Sequence, residues 1–342
     1  MDNMDNNWKK WIFENLVRGV NNNIILEILI KNKIDKDISM QFIYVYSDII
    51  NNNIIDINSI NNNNNERNIL VNDWISKVKC ELLSYTKSNL LLTELNELIN
   101  WNTFLEKFYS QNKPVIIRNQ LLDDCKNITI DYLSNTYDNF DIEIQKGRTK
   151  TTNYEIKSNH LKSKMGFLDY LNGLTTVEND IYLTANNNGN KNIKKIKNDI
   201  LKMLIKDQSP WTYLNNEYDE NSYLWIGGKG IKTPYHYDLT NNLFVQIQGQ
   251  KEFTIIPSDQ ISYMYNNNHV YTDIPSFDYS NEDLNKFKNF NKVKSIKFIL
   301  NPGDILFIPI GWYHKVKGLS NSISLSFINF NTVNNFNNSY PK

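Results

Sequence analysis

The stretch Tyr223–Gln260 reads YLWIGGKGIKTPYHYDLTNNLFVQIQGQKEFTIIPSDQ, and it consists of short apolar runs separated by turn residues. The runs SYLWIGG, NLFVQIQ and EFTIIP have the length and the β-branched and aromatic content of strands. A later stretch that starts at Asn301, NPGDILFIPIGWYHKVKGLSNSISLSFINF, continues the same pattern. Several short strands with frequent turns predict an antiparallel sandwich or barrel.

Further strands are expected upstream, in KPVIIRN from Lys113, DIEIQ from Asp141 and DIYLTA from Asp180. The tripeptide Gln248–Gln250 predicts a hairpin turn between NLFVQI and KEFTII. The tetrapeptide Asn301–Asp304 predicts a turn before the next strand. The sequence shows no internal repeat and no glycine-rich phosphate loop.

The first 95 residues have helical rather than strand-like patterns, so we expect an N-terminal helical region (1–95) before the β domain (96–342). In WKKWIFENLVRG, apolar residues recur at helical spacing and Gly19 is a plausible stop. NIILEILIKN and residues 37–50 predict two more helices. A fourth helix is expected to pack into a core through one apolar face, formed by Val71, Trp74, Ile75, Val78 and Leu82.

Composition narrows the class of protein. The chain has 342 residues, with 37 Lys and Arg against 37 Asp and Glu, so the net charge is zero and gives no general attraction to nucleic acid or anionic membranes. Its two cysteines have neither zinc-ligand spacing nor the number needed for a disulfide framework. Signal-peptide and membrane-spanning patterns are absent, which predicts a soluble, intracellular protein of the cytoplasm or nucleus.

The segment TPYHYD contains the strongest chemical signal, because it places His236 two residues before Asp238. Residues i and i+2 of a strand point to the same face, so this imidazole and this carboxylate can converge on one ion. His314, just beyond the run DILFIP, could supply a third ligand. Two histidines and one carboxylate form the facial triad of non-haem Fe(II) oxygenases.

The structural alternatives to a metal site are ordinary ones. An H-x-D pair alone is weak support for a metal site, and His314 alone could be a core histidine bonded to a backbone carbonyl. His160 and His269 lie in polar surroundings and are expected at the surface.

These motifs together resemble the JmjC family of the cupin superfamily. The resemblance is carried by the two long stretches quoted above and by KPVIIRN, and it spans roughly residues 96–330. It looks closest to the small hydroxylase branch that includes the asparaginyl hydroxylase inhibiting hypoxia-inducible factor. The resemblance implies a mainly β fold with added helices, whose core is a double-stranded β-helix (jelly-roll or cupin), preceded here by the N-terminal helical region.

The same resemblance implies a set of site residues. Fe(II) would be bound by His236, Asp238 and His314. The cosubstrate 2-oxoglutarate would contact four further residues: Thr233 and Lys251 at its distal carboxylate, Tyr182 through its hydroxyl, and Asn242 near its C1 end. Two of these residues could have a purely structural role instead of binding the cosubstrate. Lys251 could be a surface residue of a strand, and Tyr182 could be a half-buried aromatic residue. One departure is Ile328, which occupies a position where the asparaginyl hydroxylase has an asparagine; Asn329 next to it should face the opposite way.

The implied function is that of an Fe(II)- and 2-oxoglutarate-dependent dioxygenase. It would use O₂ to hydroxylate a side chain of a protein or peptide and release succinate and CO₂. Alternatives are an N-methyl-lysine (histone) demethylase, a tRNA-base hydroxylase and a non-catalytic cupin-like binding protein. The zero net charge argues against a nucleic-acid partner. The sequence leaves the substrate and the oligomeric state open.

Overall fold

The structure is a computed structural model that describes residues 4–17, 19–51, 72, 74–83, 85, 90–121, 123–176, 178–205 and 212–340. The chain divides into two compact units, residues 1–75 and 76–342. The division therefore lies before the predicted boundary at residue 95. One physical reason is the strand Thr93–Leu95, which pairs in parallel with Val115–Ile117 of the second unit.

The first unit contains the three helices predicted for it: α1 (Asn6–Val17), α2 (Asn22–Lys31) and α3 (Lys36–Asn51). Beyond the end of α1, Gly19 has a φ of +73°, a left-handed conformation that favours glycine. The core of this unit is apolar and includes Met4, Ile12, Ile25, Leu29 and Ile43. Among the described residues, no helix is long and apolar enough to cross a membrane.

The fourth helix, α4 (residues 74–83), differs from its prediction. Trp74 and Leu82, two residues of the face expected to be core, are 63% and 61% exposed. Cys80 is buried instead, and its Sγ lies 3.4 Å from the carbonyl oxygen of Asp259. The helix is thus held through another face, so the expectation of core packing was wrong for these side chains. Val71 lies outside the described residues.

The second unit is built mainly from strands. In chain order these are β1 (Thr93–Leu95), β2 (Val115–Ile117), β3 (Asp141–Lys146), β4 (Lys162–Gly166), β5 (Ile181–Leu183), β6 (Ser222–Gly227), β7 (Lys232–His236), β8 (Asn242–Gln248), β9 (Lys251–Ile256), β10 (Ile296–Leu300), β11 (Ile305–Ile308), β12 (Tyr313–Gly318) and β13 (Ser322–Phe327). The helices are α5 (Trp101–Phe104), which continues as a π-helical turn (Leu105–Tyr109), α6 (Ile130–Thr136), α7 (Phe167–Gly173), α8 (Lys191–Leu204), α9 (Tyr218–Asn221) and α10 (Asn281–Lys286).

These strands form two sheets. One has nine strands in the order β1-β2-β11-β8-β13-β6-β5-β3-β4, and the other has four in the order β10-β9-β12-β7. From β6 to β13 the chain passes repeatedly between the sheets, and every pairing among these eight strands is antiparallel. This is the double-stranded β-helix that the family resemblance implies. An apolar cluster with side chains from both sheets, including Phe244, Phe253 and Leu306, fills part of the space between them.

The Gln248–Gln250 turn is not the hairpin that the sequence suggests. Strand β8 pairs with β11 and β13, whereas β9 pairs with β10 and β12. The turn therefore carries the chain from one sheet to the other. Gly249 has a φ of +72°, and a Cβ atom there would lie 2.0 Å from the carbonyl oxygen of Asn321. Both the conformation and the close backbone approach require glycine.

We expect Gly249→Ala to lower the free energy of unfolding by about 2 kcal/mol or more, because alanine meets both a left-handed φ and a backbone clash. Chemical denaturation measures this change. Gly189→Ala is the matched control, since a Cβ atom there has no neighbour within 4 Å. Equal stability of the two variants would contradict the expectation.

Candidate metal and cosubstrate site

A cavity of about 410 Å³ lies between the two sheets and is lined by strands of both. We call it the inner cavity. Every site residue proposed from the sequence lines it: Tyr182, Thr233, His236, Asp238, Asn242, Lys251 and His314. The double-stranded β-helix brings these residues together although they are spread over 133 positions (182 to 314, inclusive) of the chain.

Three potential metal ligands meet at one end of this set. His236 ends β7 and pairs directly with His314 on the neighbouring strand β12. The two imidazole ring centroids are 4.2 Å apart, and Oδ2 of Asp238 is 3.8 Å from Nε2 of His314. The nitrogen and oxygen atoms that could bind an ion all lie within 4.8 Å of one another. This spacing allows the three side chains to bind a single metal ion.

Both imidazole rings are oriented by the backbone. Nδ1 of His236 is 2.9 Å from the carbonyl oxygen of Pro234, and Nδ1 of His314 is 3.0 Å from that of Trp312. A carbonyl oxygen only accepts hydrogen bonds, so each Nδ1 must carry the proton and donate it. Nε2 of each neutral ring then carries a free lone pair. A hydrogen bond from the ring nitrogen that does not bind the metal is the usual way in which a protein fixes a metal-binding histidine.

The protonation state of His314 also suits a metal ligand. Burial and the adjacent imidazole of His236 together lower its pKa to about 4. His314 is therefore neutral near physiological pH, as a histidine must be to bind a metal ion.

Asn242 contacts the carboxylate of the triad. Its Nδ2 donates a hydrogen bond to Oδ2 of Asp238 at 3.2 Å, while its Oδ1 is buried and has no hydrogen-bond partner among the residues that the structure describes. The sequence placed Asn242 near the C1 end of the cosubstrate. The geometry adds a role in orienting Asp238, and the free Oδ1 could accept a hydrogen bond from a water molecule in the cavity.

Among the described residues that line the inner cavity, Lys251 is the only lysine, and it is 1% exposed. Its Nζ lies 5.0 Å from the centroid of the Phe244 ring, and within the described parts of the chain no carboxylate forms an ion pair with it. Burial lowers its pKa to about 7. A buried ammonium group without a counter-charge is costly, so an anion in the cavity would offset its desolvation.

Tyr182 and Thr233 lie together on the cavity wall. The Tyr182 side chain is buried, which raises the pKa of its hydroxyl, while the nearby Thr233 side chain acts to lower it. Gly227 makes room for the ring, because a Cβ atom there would lie only 2.8 Å from it. Two hydroxyl groups beside a cavity that also contains Lys251 suit a carboxylate ligand, which accepts hydrogen bonds from all three.

Several lining residues were not anticipated. Tyr223 and Trp225 on β6 both line the inner cavity, and Nε1 of Trp225 donates to Oγ of Ser326 at 2.9 Å. The period-2 alternation of a strand would have revealed this pair once β6 was placed beside the cavity. Ile328 also lines it, whereas the side-chain amide of Asn329 donates to the carbonyl oxygen of Asn215.

The other two histidines lie elsewhere. His160 and His269 are exposed, and neither lines the inner cavity.

A larger cavity of about 780 Å³, the outer cleft, adjoins β7. Its lining includes residues of the β3–β4 connection, such as Arg148 and Tyr154, and of the segment 268–278. Tyr271 from that segment pairs with the backbone of His236, and its ring faces the imidazole with the centroids 5.8 Å apart and the ring planes 26° from parallel. The outer cleft therefore reaches the candidate metal ligands through Tyr271.

A double-stranded β-helix with two histidines and one aspartate converging between its sheets defines a cupin-type protein with a candidate metal centre. Residues 101–336 match the cupin-like domain family, and the chain belongs to that family.

Relatives among characterised proteins include JmjC domain proteins. The chain is 28% identical over 258 residues to JmjC domain-containing protein D of Dictyostelium discoideum, covering 69% of this chain and 55% of that protein. It is 25% identical to tRNA wybutosine-synthesizing protein 5 of Gallus gallus, covering 62% and 69%. It is 32% identical over 104 residues to lysine-specific demethylase 8 of Xenopus tropicalis, covering 30% and 24%. The chain thus spans only about half of the first relative and a quarter of the last.

Proposed function

We propose that this protein is an Fe(II)- and 2-oxoglutarate-dependent dioxygenase. One observation carries the proposal: a single cavity contains both the His236, Asp238 and His314 cluster and a buried lysine, Lys251, that no carboxylate of the described residues pairs with. Two imidazoles and a carboxylate suit Fe(II) and leave coordination positions for other ligands. The lysine suits the far carboxylate of a dicarboxylic acid that binds beside the metal.

The iron with 2-oxoglutarate and O₂ would supply oxidation of a substrate C–H bond, with release of succinate and CO₂. The chain's own residues would bind and orient the cosubstrate and the metal ligands. Lys251 would pair with the distal carboxylate of 2-oxoglutarate, and Thr233 and Tyr182 would donate hydrogen bonds to it. Asn242 would hold Asp238 in place. The apolar part of the lining, Phe244, Phe253, Ile308 and Val316, would exclude water from this carboxylate.

We propose a side chain of a protein as the substrate. The family resemblance supports this choice, and so does the outer cleft, whose size suits a polypeptide segment and whose lining mixes aromatic, acidic and basic side chains. A base in tRNA is the second candidate, because a tRNA wybutosine-synthesizing protein aligns over 62% of the chain. Demethylation of N-methyl-lysine uses the same chemistry and is a further outcome that a test must separate.

Incubation of the protein with Fe(II), 2-oxoglutarate and O₂ tests both the proposed reaction class and the proposed substrate class. Succinate formation tests the reaction class. Mass spectrometry of added cell peptides and of added tRNA nucleosides then seeks the gain of one oxygen atom, and formaldehyde assays report demethylation. We expect oxidised peptides. Oxidised nucleosides alone would overturn the protein-substrate proposal, and the absence of succinate from every mixture would overturn the oxygenase proposal.

Binding of 2-oxoglutarate should depend on pH through Lys251. Its pKa is lowered to about 7 in the free protein, and a carboxylate beside it favours the charged form and raises that pKa. Below about pH 7 the free protein already carries the charge, so affinity stays constant. Above it, binding requires proton uptake, and affinity should fall by about tenfold per pH unit.

Isothermal titration calorimetry with Mn(II) as a redox-inert metal measures this dependence, and buffers of different ionisation enthalpy report the proton uptake. Lys251→Arg is the control, since its guanidinium stays charged across the range. A flat affinity profile for the unaltered protein would contradict the assignment of Lys251.

A further inference from the structure

Arg148 has no exposed side-chain surface, although arginine is seldom fully buried. It begins the short 3-10 turn Arg148–Lys150, in the connection from β3 to β4. Burial removes the hydration of its guanidinium, which costs several kcal/mol unless charged and hydrogen-bonding partners replace the water.

The partners of Arg148 fix the plane of its guanidinium. Its Nη1 lies 2.9 Å from Oε1 of Glu155, which balances the charge. The same Nη1 donates to the side-chain oxygen of Gln145, and Nη2 donates to the carbonyl oxygen of Lys232 at 2.7 Å. One ion pair and two hydrogen bonds to three chain segments leave the guanidinium little freedom to rotate, although its Nε has no hydrogen-bond partner among the described residues.

Two tyrosine rings pack against this group. The guanidinium carbon lies 4.3 Å from the ring centroid of Tyr154 and 5.1 Å from that of Tyr182. Such contacts between a cation and the face of an aromatic ring are attractive. Tyr182 lines the inner cavity, whereas Arg148 and Tyr154 line the outer cleft. Arg148 therefore supports Tyr182 from behind and has no surface in the inner cavity.

We infer that Arg148 is a positioning residue for the cosubstrate. Its guanidinium holds the ring of Tyr182 so that the tyrosine hydroxyl reaches Thr233 and the distal carboxylate of 2-oxoglutarate. This inference rests on the proposed function, and it deepens it by assigning a role to a residue that does not touch the cosubstrate. It also gives the inner cavity and the outer cleft a common wall, made of Arg148 and Tyr182.

A double-mutant cycle tests the inference. Arg148→Lys keeps the charge and the pairing with Glu155, but it lacks a flat group to pack on Tyr182. Tyr182→Phe keeps the ring and removes the hydroxyl. In Mn(II)-loaded protein, calorimetry should show that Arg148→Lys weakens 2-oxoglutarate binding by about tenfold, and by less than about twofold in the Tyr182→Phe background. The Mn(II) affinity should not change.

An equal loss in both backgrounds, or no loss in either, would overturn the role of Arg148. If Arg148→Lys does not fold, Glu155→Gln serves in the same cycle, because this side chain is 11% exposed and the amide keeps its shape. A wild-type protein that binds Mn(II) but not 2-oxoglutarate would overturn the proposed function together with the inference. If the wild-type protein binds 2-oxoglutarate but the effects of the Arg148 and Tyr182 substitutions on that binding are additive, only the inference about Arg148 is overturned.

Discussion

Replacement of His236 by alanine should reduce succinate formation to the background rate and weaken metal binding by at least about a hundredfold. The reason is the number of ligands. The structure brings two imidazoles and one carboxylate within reach of one ion, so the loss of one leaves two, too few to hold Fe(II) against water. Asp238→Ala should have the same effect, because it removes the only negative charge of the three. Calorimetric titration with Mn(II) and a succinate assay measure both quantities.

The chain provides matched controls for these variants. His269 is exposed and lies in the segment next to the outer cleft, and His160 is exposed in the β3–β4 connection. Alanine at either position should leave metal affinity and turnover within about twofold of the wild-type values. Loss of the metal in His269→Ala with retention in His236→Ala would mean that the wrong histidines have been assigned.

Lys251→Met should weaken 2-oxoglutarate binding by at least about a hundredfold while raising the stability of the free protein. In the complex, the ammonium group would be the main partner of a buried carboxylate, and removing one partner of a buried pair costs about 3–5 kcal/mol. In the free protein the same group is a buried cation whose pKa is lowered by desolvation alone. An apolar side chain of similar length removes that cost, so the free energy of unfolding should rise by about 1 kcal/mol or more.

The opposite signs of the two effects make the Lys251 prediction specific. A residue with only a structural role would lower stability when replaced, and a surface lysine would change neither quantity. Thermal unfolding measured with and without 2-oxoglutarate separates these cases. Mn(II) affinity without cosubstrate should stay unchanged, since Lys251 is not among the clustered ligands. A stable Lys251→Met variant that still binds 2-oxoglutarate normally would remove Lys251 from the site.

The sequence predicted the fold well where local pattern and chemistry agree. Short apolar runs between turns correspond to strands, and the family motif around His236 and His314 names residues that all line one cavity. The strand predictions succeeded because the alternation and apolar content of a strand are local properties. His236 ends β7 and Asp238 lies two residues beyond that strand, so strand alternation alone does not explain why the two side chains converge.

Other features could not be predicted because they depend on tertiary pairing. The Gln248–Gln250 turn has the composition of a hairpin, but which strands pair decides whether it stays within a sheet, and β8 and β9 belong to different sheets. The apolar face of α4 is similarly ambiguous, since a periodic pattern shows an amphipathic helix but not which face is buried. The buried state of Arg148 depends on Glu155, Gln145 and Lys232, which lie on separate segments.

Electron paramagnetic resonance of the wild-type protein titrated with Mn(II), followed by 2-oxoglutarate, tests the central assignment most directly. We expect the signal of free Mn(II) to disappear as one ion binds per chain, and 2-oxoglutarate then to change the spectrum of the bound ion, because its oxygen atoms replace water on the metal. Mn(II) that stays free in solution, or a bound spectrum that does not respond to 2-oxoglutarate, would contradict it.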